Sequence, residues 1–331
     1  MKNMKRNHNK EKRRQAETFQ RLLAFAALII MFVGFSLASP YFFTFSNVVG
    51  ILIATAVNGL LALGVTFIII SGGIDLSVGT VMTLSSVMTA VIIKNLGMPV
   101  WLGVVVGVLT GSIAGFLNGM MISKLKLPPF IATLGMLNVA RGLSLVITDL
   151  SPIYFPLESG FSNITMGSIA AQIIPGFEIP NGVLIMFGMA GLAGLILTKT
   201  VIGRYTFALG SNEEAARLSG VNVDFWKTAI YTLGGFFVGV AGVVIAARLN
   251  SAQPALGQGY ELDAIAAAVI GGISMSGGEG NMLGTIIGAF IISTLTNGLR
   301  ILSVPQEWQI VVTGLIIISA VYLDIIRRRR K

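Results

Sequence analysis

The sequence predicts an all-α polytopic membrane protein of about ten transmembrane helices, arranged as two inverted five-helix halves. Three observations predict it. Of 331 residues, 54% are hydrophobic and 11% charged, with mean hydropathy +0.84; a soluble globular domain carries about 25% charged residues. Apolar runs recur along almost the whole chain, and about 20 residues suffice to cross a bilayer core. The charge is terminal: residues 1–21 carry net +6 and residues 327–331 (RRRRK) a further +5, so the formal +9 leaves −2 for residues 22–326.

This composition excludes a water-soluble enzyme, and the hydrophobicity excludes disorder. The chain has no cysteine and a single histidine, His8 in the polar tail. A disulfide framework, a thiolate metal site, a catalytic thiol and a His-based triad are therefore excluded, and no catalytic or metal-ligating set is expected. Lys and Arg flanking apolar spans stay on the cytoplasmic side. Residues 1–21 and 327–331 therefore read as basic cytoplasmic tails, with attraction to membrane lipid and no nucleic-acid partner. The apolar run after Arg21 is long enough to span, and no small-residue cleavage site precedes Pro40, so it is not read as a signal peptide.

With both ends inside, the span count is even. The transmembrane region 22–326 divides into apolar runs at 22–38, 52–70, 77–95, 100–122, 129–147, 183–199, 228–247, 262–276, 282–299 and 308–325. An interfacial helix within SNVVGILIAT is an alternative start to the second. The inside loops then hold Lys124, Lys126, Lys199, Arg204, Arg217 and Lys227. The outside receives Lys94, Arg248, Arg300, Asp149, Glu158 and Glu178, a positive-inside bias independent of the termini. The external segment 148–182 contains Pro152, Pro156, Pro175 and Pro180, as expected of a partly ordered cap. Five spans lie on each side of the polar inside segment at 200–227, and an odd number per half requires opposite insertion, the arrangement of many transporters.

Gly103, Gly107, Gly111, Gly115 and Gly119 recur every fourth residue. That spacing drifts only about 40° per step around a 3.6-residue helix, so the glycines form one groove for close helix packing. Gly235/Gly239 and Gly284/Gly288 repeat the pattern. Polar residues at membrane depth are few. Asp75 sits in the glycine-rich break SGGIDLSVG, where it either caps the next helix or faces a water-filled cavity. Arg141 and the amides Asn58, Asn118, Asn138 and Asn297 lie within spans. Amides suit a neutral polyhydroxylated ligand and serve equally as interhelical glue. Arg248 and Arg300, at outside ends, either dock carboxylates of an external partner or snorkel to the interface. No Asp/Glu/His relay runs along the spans, which counts against a proton-coupled carrier.

The inside segment GRYTFALGSNEEAARLSGVNVDFWK predicts a short helix over Glu213–Leu218. Ser211 or Asn212 caps it, Glu213 and Glu214 occupy its first turn and Gly220 ends it. EEAARLSG resembles the coupling loop by which permease subunits of ATP-binding-cassette importers engage their nucleotide-binding subunits. SGGIDLSVG (71–79), GRYTFALGSNEEAARLSGVNV (203–223), RLNSAQPALGQGYELDAIAAAVIGG (248–272) and SGGEG (276–280) resemble the ribose-type monosaccharide permeases of bacteria. The resemblance implies that Glu213, Glu214, Ala215, Ala216 and Gly220 form the coupling element. It also implies a bacterial cytoplasmic-membrane location, a second copy of the permease, an ATP-binding subunit and an extracytoplasmic sugar-binding protein. The substrate would be a monosaccharide, ribose first, with autoinducer-2, xylose or galactofuranose as alternatives. The chain contains no GxxxxGK[ST] motif, so no cofactor is expected on it, and ATP and Mg belong to the partner subunit. The competing class is a self-sufficient secondary carrier or channel for a small neutral polar solute.

Overall fold

The computed structural model describes residues 22–174, 176 and 178–329. The N-terminal basic tail, Pro175 and residues 330–331 of the C-terminal tail lie outside them. Helices dominate: α1 (Leu22–Ala38), α2 (Phe45–Ile70), α3 (Val78–Ala90, continued by a π turn to Asn95), α4 (Val100–Ser123) and α5 (Pro129–Ile147). Further on come α6 (Asn163–Met166), α7 (Ile169–Ile173) and α8 (Asn181–Lys199), then α9 (Val201–Ser211) and α10 (Glu213–Leu218). The chain closes with α11 (Val223–Leu249), α12 (Tyr260–Ile270), α13 (Met282–Ile301) and α14 (Gln306–Arg329). Seven of these, α2, α3 with its π turn, α4, α5, α8, α11 and α13, are long and apolar enough to cross a membrane.

Three expectations change. SNVVGILIAT is not a separate interfacial helix. It forms the first turns of α2, which runs unbroken for 26 residues and meets its neighbours closely at Gly59, against the Met186 side chain, and at Gly64, against the Gly234 backbone. Residues 262–276 are not one span. The helix there stops at Ile270, and its 11 residues reach only about 16 Å at 1.5 Å per residue, half of a bilayer core. Residues 200–227 are not a loop, since α9, α10 and the first turn of α11 fill most of the segment.

The fully buried centre consists of α2, α3, α11, α12 and α13, with α4, α5 and α8 around it. The glycine stripe of α4 meets that of α11. A Cβ at Gly111 would collide with backbone at Gly235 and Gly239, one at Gly115 with the carbonyl of Tyr231, and one at Gly119 with Thr228. Gly284 and Gly288 of α13 approach the backbone of α12 at Gly271 and Ala267 in the same way. Polar pairs fasten α2 to α13 along its length: Asn47 with Asn297 (3.0 and 2.9 Å), Asn58 with Ser293 (3.2 Å) and Thr66 with Thr285 (2.8 Å).

Gly115→Val should separate α4 from α11 at a cost of about 1–3 kcal/mol, read as a lowered thermal unfolding midpoint of the purified chain in detergent. Gly191→Ala on α8, where a Cβ meets nothing within 4 Å, should change stability by no more than about 0.5 kcal/mol.

Candidate coupling site and polar faces

The six residues of α10 make one amphipathic turn and a half with a complete set of local stops. Asn212 is extended (φ −165°) and its side chain accepts from Ala215 N–H at 2.9 Å, so it, and not Ser211, is the N-cap. Glu213 and Glu214 then stand where the helix dipole favours carboxylates. At the far end Gly220 takes φ +83°, and Val221 N–H reaches back to Ala216 C=O at 3.1 Å. Such a left-handed closure suits glycine because it lacks a Cβ.

The candidate coupling residues split between two faces. Glu213 turns inward: its carboxylate accepts from Lys227 at 2.7 Å, tying α10 to α11, and from Arg217 at 3.3 Å. Ala216 is buried beneath it. Glu214, Ala215 and Leu218 point outward, and Leu218 is 81% exposed. Sequence reasoning did not single out Leu218. The signal was present in its spacing from Glu214 and Ala215, which places an apolar side chain on the same face as both.

At the end of α9, just before α10, three backbone segments touch without intervening side chains. Gly278 N–H donates to Ile70 C=O at 2.8 Å. A Cβ at Gly210, at the end of α9, would collide with that same carbonyl, and one at Gly277 would lie 2.9 Å from Gly210 O and 3.0 Å from Gly72 N. Gly72, Gly277 and Gly278 all have positive φ. The turn after α2, the SGGEG turn before α13 and the end of α9 therefore form one glycine junction beside the residues that lead into α10.

The break at 71–77 is held from within. Asp75 is 4% exposed, and its Oδ1 accepts from Ser77 N–H (2.8 Å) and Ser77 Oγ–H (2.6 Å). Asn118 on α4, 1% exposed, donates to Ser77 Oγ at 3.0 Å and more weakly to Asp75 Oδ2 at 3.4 Å. Tyr231 on α11 donates to Ile74 C=O at 3.1 Å. A second break enters from the opposite end, after the two-residue antiparallel strands β1 (Ile153–Tyr154) and β2 (Ser251–Ala252). There Gly257 packs against Gly79, so the starts of α3 and α12 meet inside the bundle. Glu261 caps Gly259 N–H at 3.2 Å.

The remaining candidates are dispersed. Asn58 and Asn297 bridge α2 and α13 as described. Asn138 and Arg141 lie on the exposed face of α5, one helical turn apart. Asn138 donates back to Leu134 C=O at 3.1 Å, and Arg141 has no hydrogen bond or ion pair among the described residues. Gly135 and Gly142 on the same face have nothing within 4 Å of a Cβ. Arg248 and Arg300 occupy the last turns of α11 and α13, where cations complement the helix dipole, within electrostatic reach of each other and of Tyr260. Among the described residues no group of three His, Cys, Asp or Glu side chains is placed to hold a metal.

Asp75→Ala removes the acceptor that orders the 71–77 break and should cost about 1–3 kcal/mol, read as a lower thermal midpoint. Asp75→Asn, which keeps one carbonyl oxygen for the Ser77 donors, should lose less.

Comparison with known proteins agrees with this architecture. Residues 47–321 match the family model described as the permease component of branched-chain amino acid transport systems. The ribose import permease protein of Bacillus subtilis (strain 168) is 43% identical over 306 residues, covering 92% of each chain. That of Escherichia coli (strain K12) is 40% identical over 304 residues, covering 90% of this chain and 91% of its own. The L-arabinose transport system permease protein of Escherichia coli (strain K12) is 36% identical over 302 residues, covering 91% and 89%. No solved structure matches. With the family model covering most of the chain, and relatives aligned over nine-tenths of it, this multi-pass membrane protein belongs to the transport-system permease family that the model describes.

Proposed function

We propose that the chain is the transmembrane permease subunit of an ATP-binding-cassette importer that carries a monosaccharide, ribose first, across the bacterial cytoplasmic membrane. The observation that carries the reading is α10: a capped polar helix with an exposed Glu214–Leu218 face, backed by a glycine junction at the ends of the membrane helices. The chain has no P-loop of its own, so ATP and Mg are handled by a separate subunit. The relatives named as ribose permeases favour ribose over the arabinose of the more distant one.

In this reading α1 and α14 cross the membrane with the seven long helices, the tenth crossing is made by the non-helical stretch 253–259 followed by the half-depth α12, and the ten form two inverted halves. Residues 22–326 are the permease domain between cytoplasmic tails, and 200–227 is the coupling region. Two copies of the chain enclose the path. The α5 face with Asn138 and Arg141 lines it, because a guanidinium without a partner is costly against lipid and far less so against water or a second copy. A sugar-loaded binding protein docks at the opposite end, near Arg248 and Arg300. Closure of the ATP-binding subunits pushes α10. The Glu213–Lys227 pair and the glycine junction pass that displacement to α11, α2 and the start of α13, and the path opens inward. The permease needs only weak sugar contacts, since selection falls to the binding protein.

Glu214→Lys with Leu218→Asp should leave membrane insertion and thermal stability unchanged while reducing co-purification with the ATP-binding subunit and ATP-driven uptake by about tenfold or more. Wild-type uptake in that double variant would sink the coupling assignment. Arg141→Ala should instead lower uptake while the assembled importer retains its ATPase. Downhill ribose flux through the purified chain alone in liposomes would favour a secondary carrier.

A further inference from the structure

The outward face of α4 differs from that of α5. Trp101, Val105, Leu109, Ile113, Phe116 and Leu117 form an exposed stripe with no polar member. Beside it an open groove of about 860 Å³ runs between α4 and α11, from Ser112 and Phe236 at depth to Lys124, Asn222 and Asp224 at the α10 end. Ser112 to Lys124 is 12 residues of helix, about 18 Å long. One leaflet of a 30 Å hydrocarbon core is about 15 Å thick. The groove therefore matches a single leaflet in length.

Its chemistry separates it from a sugar path. Phe116, Met120, Phe225, Ala229, Leu233 and Phe236 form the wall. The hydroxyls in that wall are occupied by their own helices: Ser112 donates to Val108 C=O (3.0 Å), Thr228 to Asp224 C=O (2.9 Å) and Thr232 to Thr228 C=O (2.7 Å). At the rim, Lys124 is exposed and has no ion pair among the described residues. Asn222 uses its oxygen to cap Phe225 N–H at 3.1 Å, which leaves its amide N–H donors without a hydrogen bond among the described residues. Asp224, the one acid there, is already matched by Lys126 at 2.7 Å. An apolar slot one leaflet deep thus ends in a surplus positive charge beside an amide donor.

We propose that this groove holds a phospholipid of the cytoplasmic leaflet, with its anionic headgroup phosphate on Lys124 and the Asn222 amide and an acyl chain along the α4–α11 wall. Basic pockets between membrane helices on the cytoplasmic side favour anionic headgroups for this reason. The choice of leaflet rests on the proposed topology. Bound there, the lipid abuts the helix pair whose cytoplasmic end anchors α10 through Lys227.

The chain lacks cysteine, so Ala229→Cys gives one labelling site inside the groove for a bimane fluorophore. The full-length labelled protein is reconstituted in phosphatidylcholine vesicles containing brominated phosphatidylglycerol or, separately, brominated phosphatidylcholine. The expected result is quenching with a preference for phosphatidylglycerol of about fivefold or more, largely lost in Lys124→Gln and retained in Lys94→Gln on the opposite side. Equal quenching by both lipids, or a preference indifferent to Lys124, would mean ordinary surrounding lipid and overturn the proposal. Absence of quenching with Ala229→Cys cross-linking between copies would make the groove an interface between protomers and overturn it as well. Transport is not the readout, so either failure leaves the importer reading intact.

Discussion

The close passage of α4 across α11 is the contact on which the rest of the bundle depends. Lipid tails are as apolar as leucine, so no hydrophobic drive joins two helices inside a bilayer, and adhesion comes from dispersion and backbone proximity. Glycine at positions 111, 115 and 119 removes every side chain that would hold the two backbones apart. With the helices in contact, Asn118 on one and Tyr231 on the other reach the same short segment, residues 74–77, and hold it in place. Those bonds satisfy groups of a non-helical segment, the buried Asp75 carboxylate among them, that would be costly to bury unpaired.

The same economy of backbone shapes the end of the molecule that carries α10. The helices α2, α10 and α12 stop by one device: a glycine of positive φ, at 72, 220 and 272, followed by a residue whose N–H reaches five positions back. Each closure satisfies orphan carbonyls locally and turns the chain within two residues. Such compact turns can pack backbone on backbone, which is how the ends of α2 and α9 and the SGGEG turn come to share the Ile70 carbonyl. Side chains that change rotamer would absorb a small displacement of α10. Direct backbone contact has no rotamer with which to absorb it.

Polarity within the membrane region divides by direction rather than by residue type. The amides of Asn58 and Asn297 bond between α2 and α13, and that of Asn118 bonds from α4 to the 71–77 break. Asn138 and Arg141 face away from the bundle, on a helix whose other face is filled by Ala132, Met136 and Ala140. Four amides that look alike in the sequence thus have different surroundings. Of these amides and Arg141, the ones on the outward α5 face are available to something outside the chain.

Much was legible from the residues alone, where the physics is local. Capping and dipole preferences act within four residues, so the limits of α10, its acidic first turn and its glycine stop followed from GSNEEAARLSG. The low charge and the apolar runs similarly required membrane helices, since no other solvent accommodates them. Hydropathy failed at α12, because IAAAVIGGISM remains apolar straight through the turn at Gly271–Gly272, and only the positive φ of Gly272 ends the helix there. It failed again for the in-span polar residues. A helix that is apolar all round has no periodic contrast between buried and exposed faces, so its sequence cannot say which way Asn138 or Asn58 points. The sequence by itself determined that this chain is a membrane bundle with one short capped polar helix between its apolar ones. Which glycines touch, which amides are consumed inside and which cation faces outward were decided by the tertiary structure, because they depend on helix rotation, and in lipid only packing sets that.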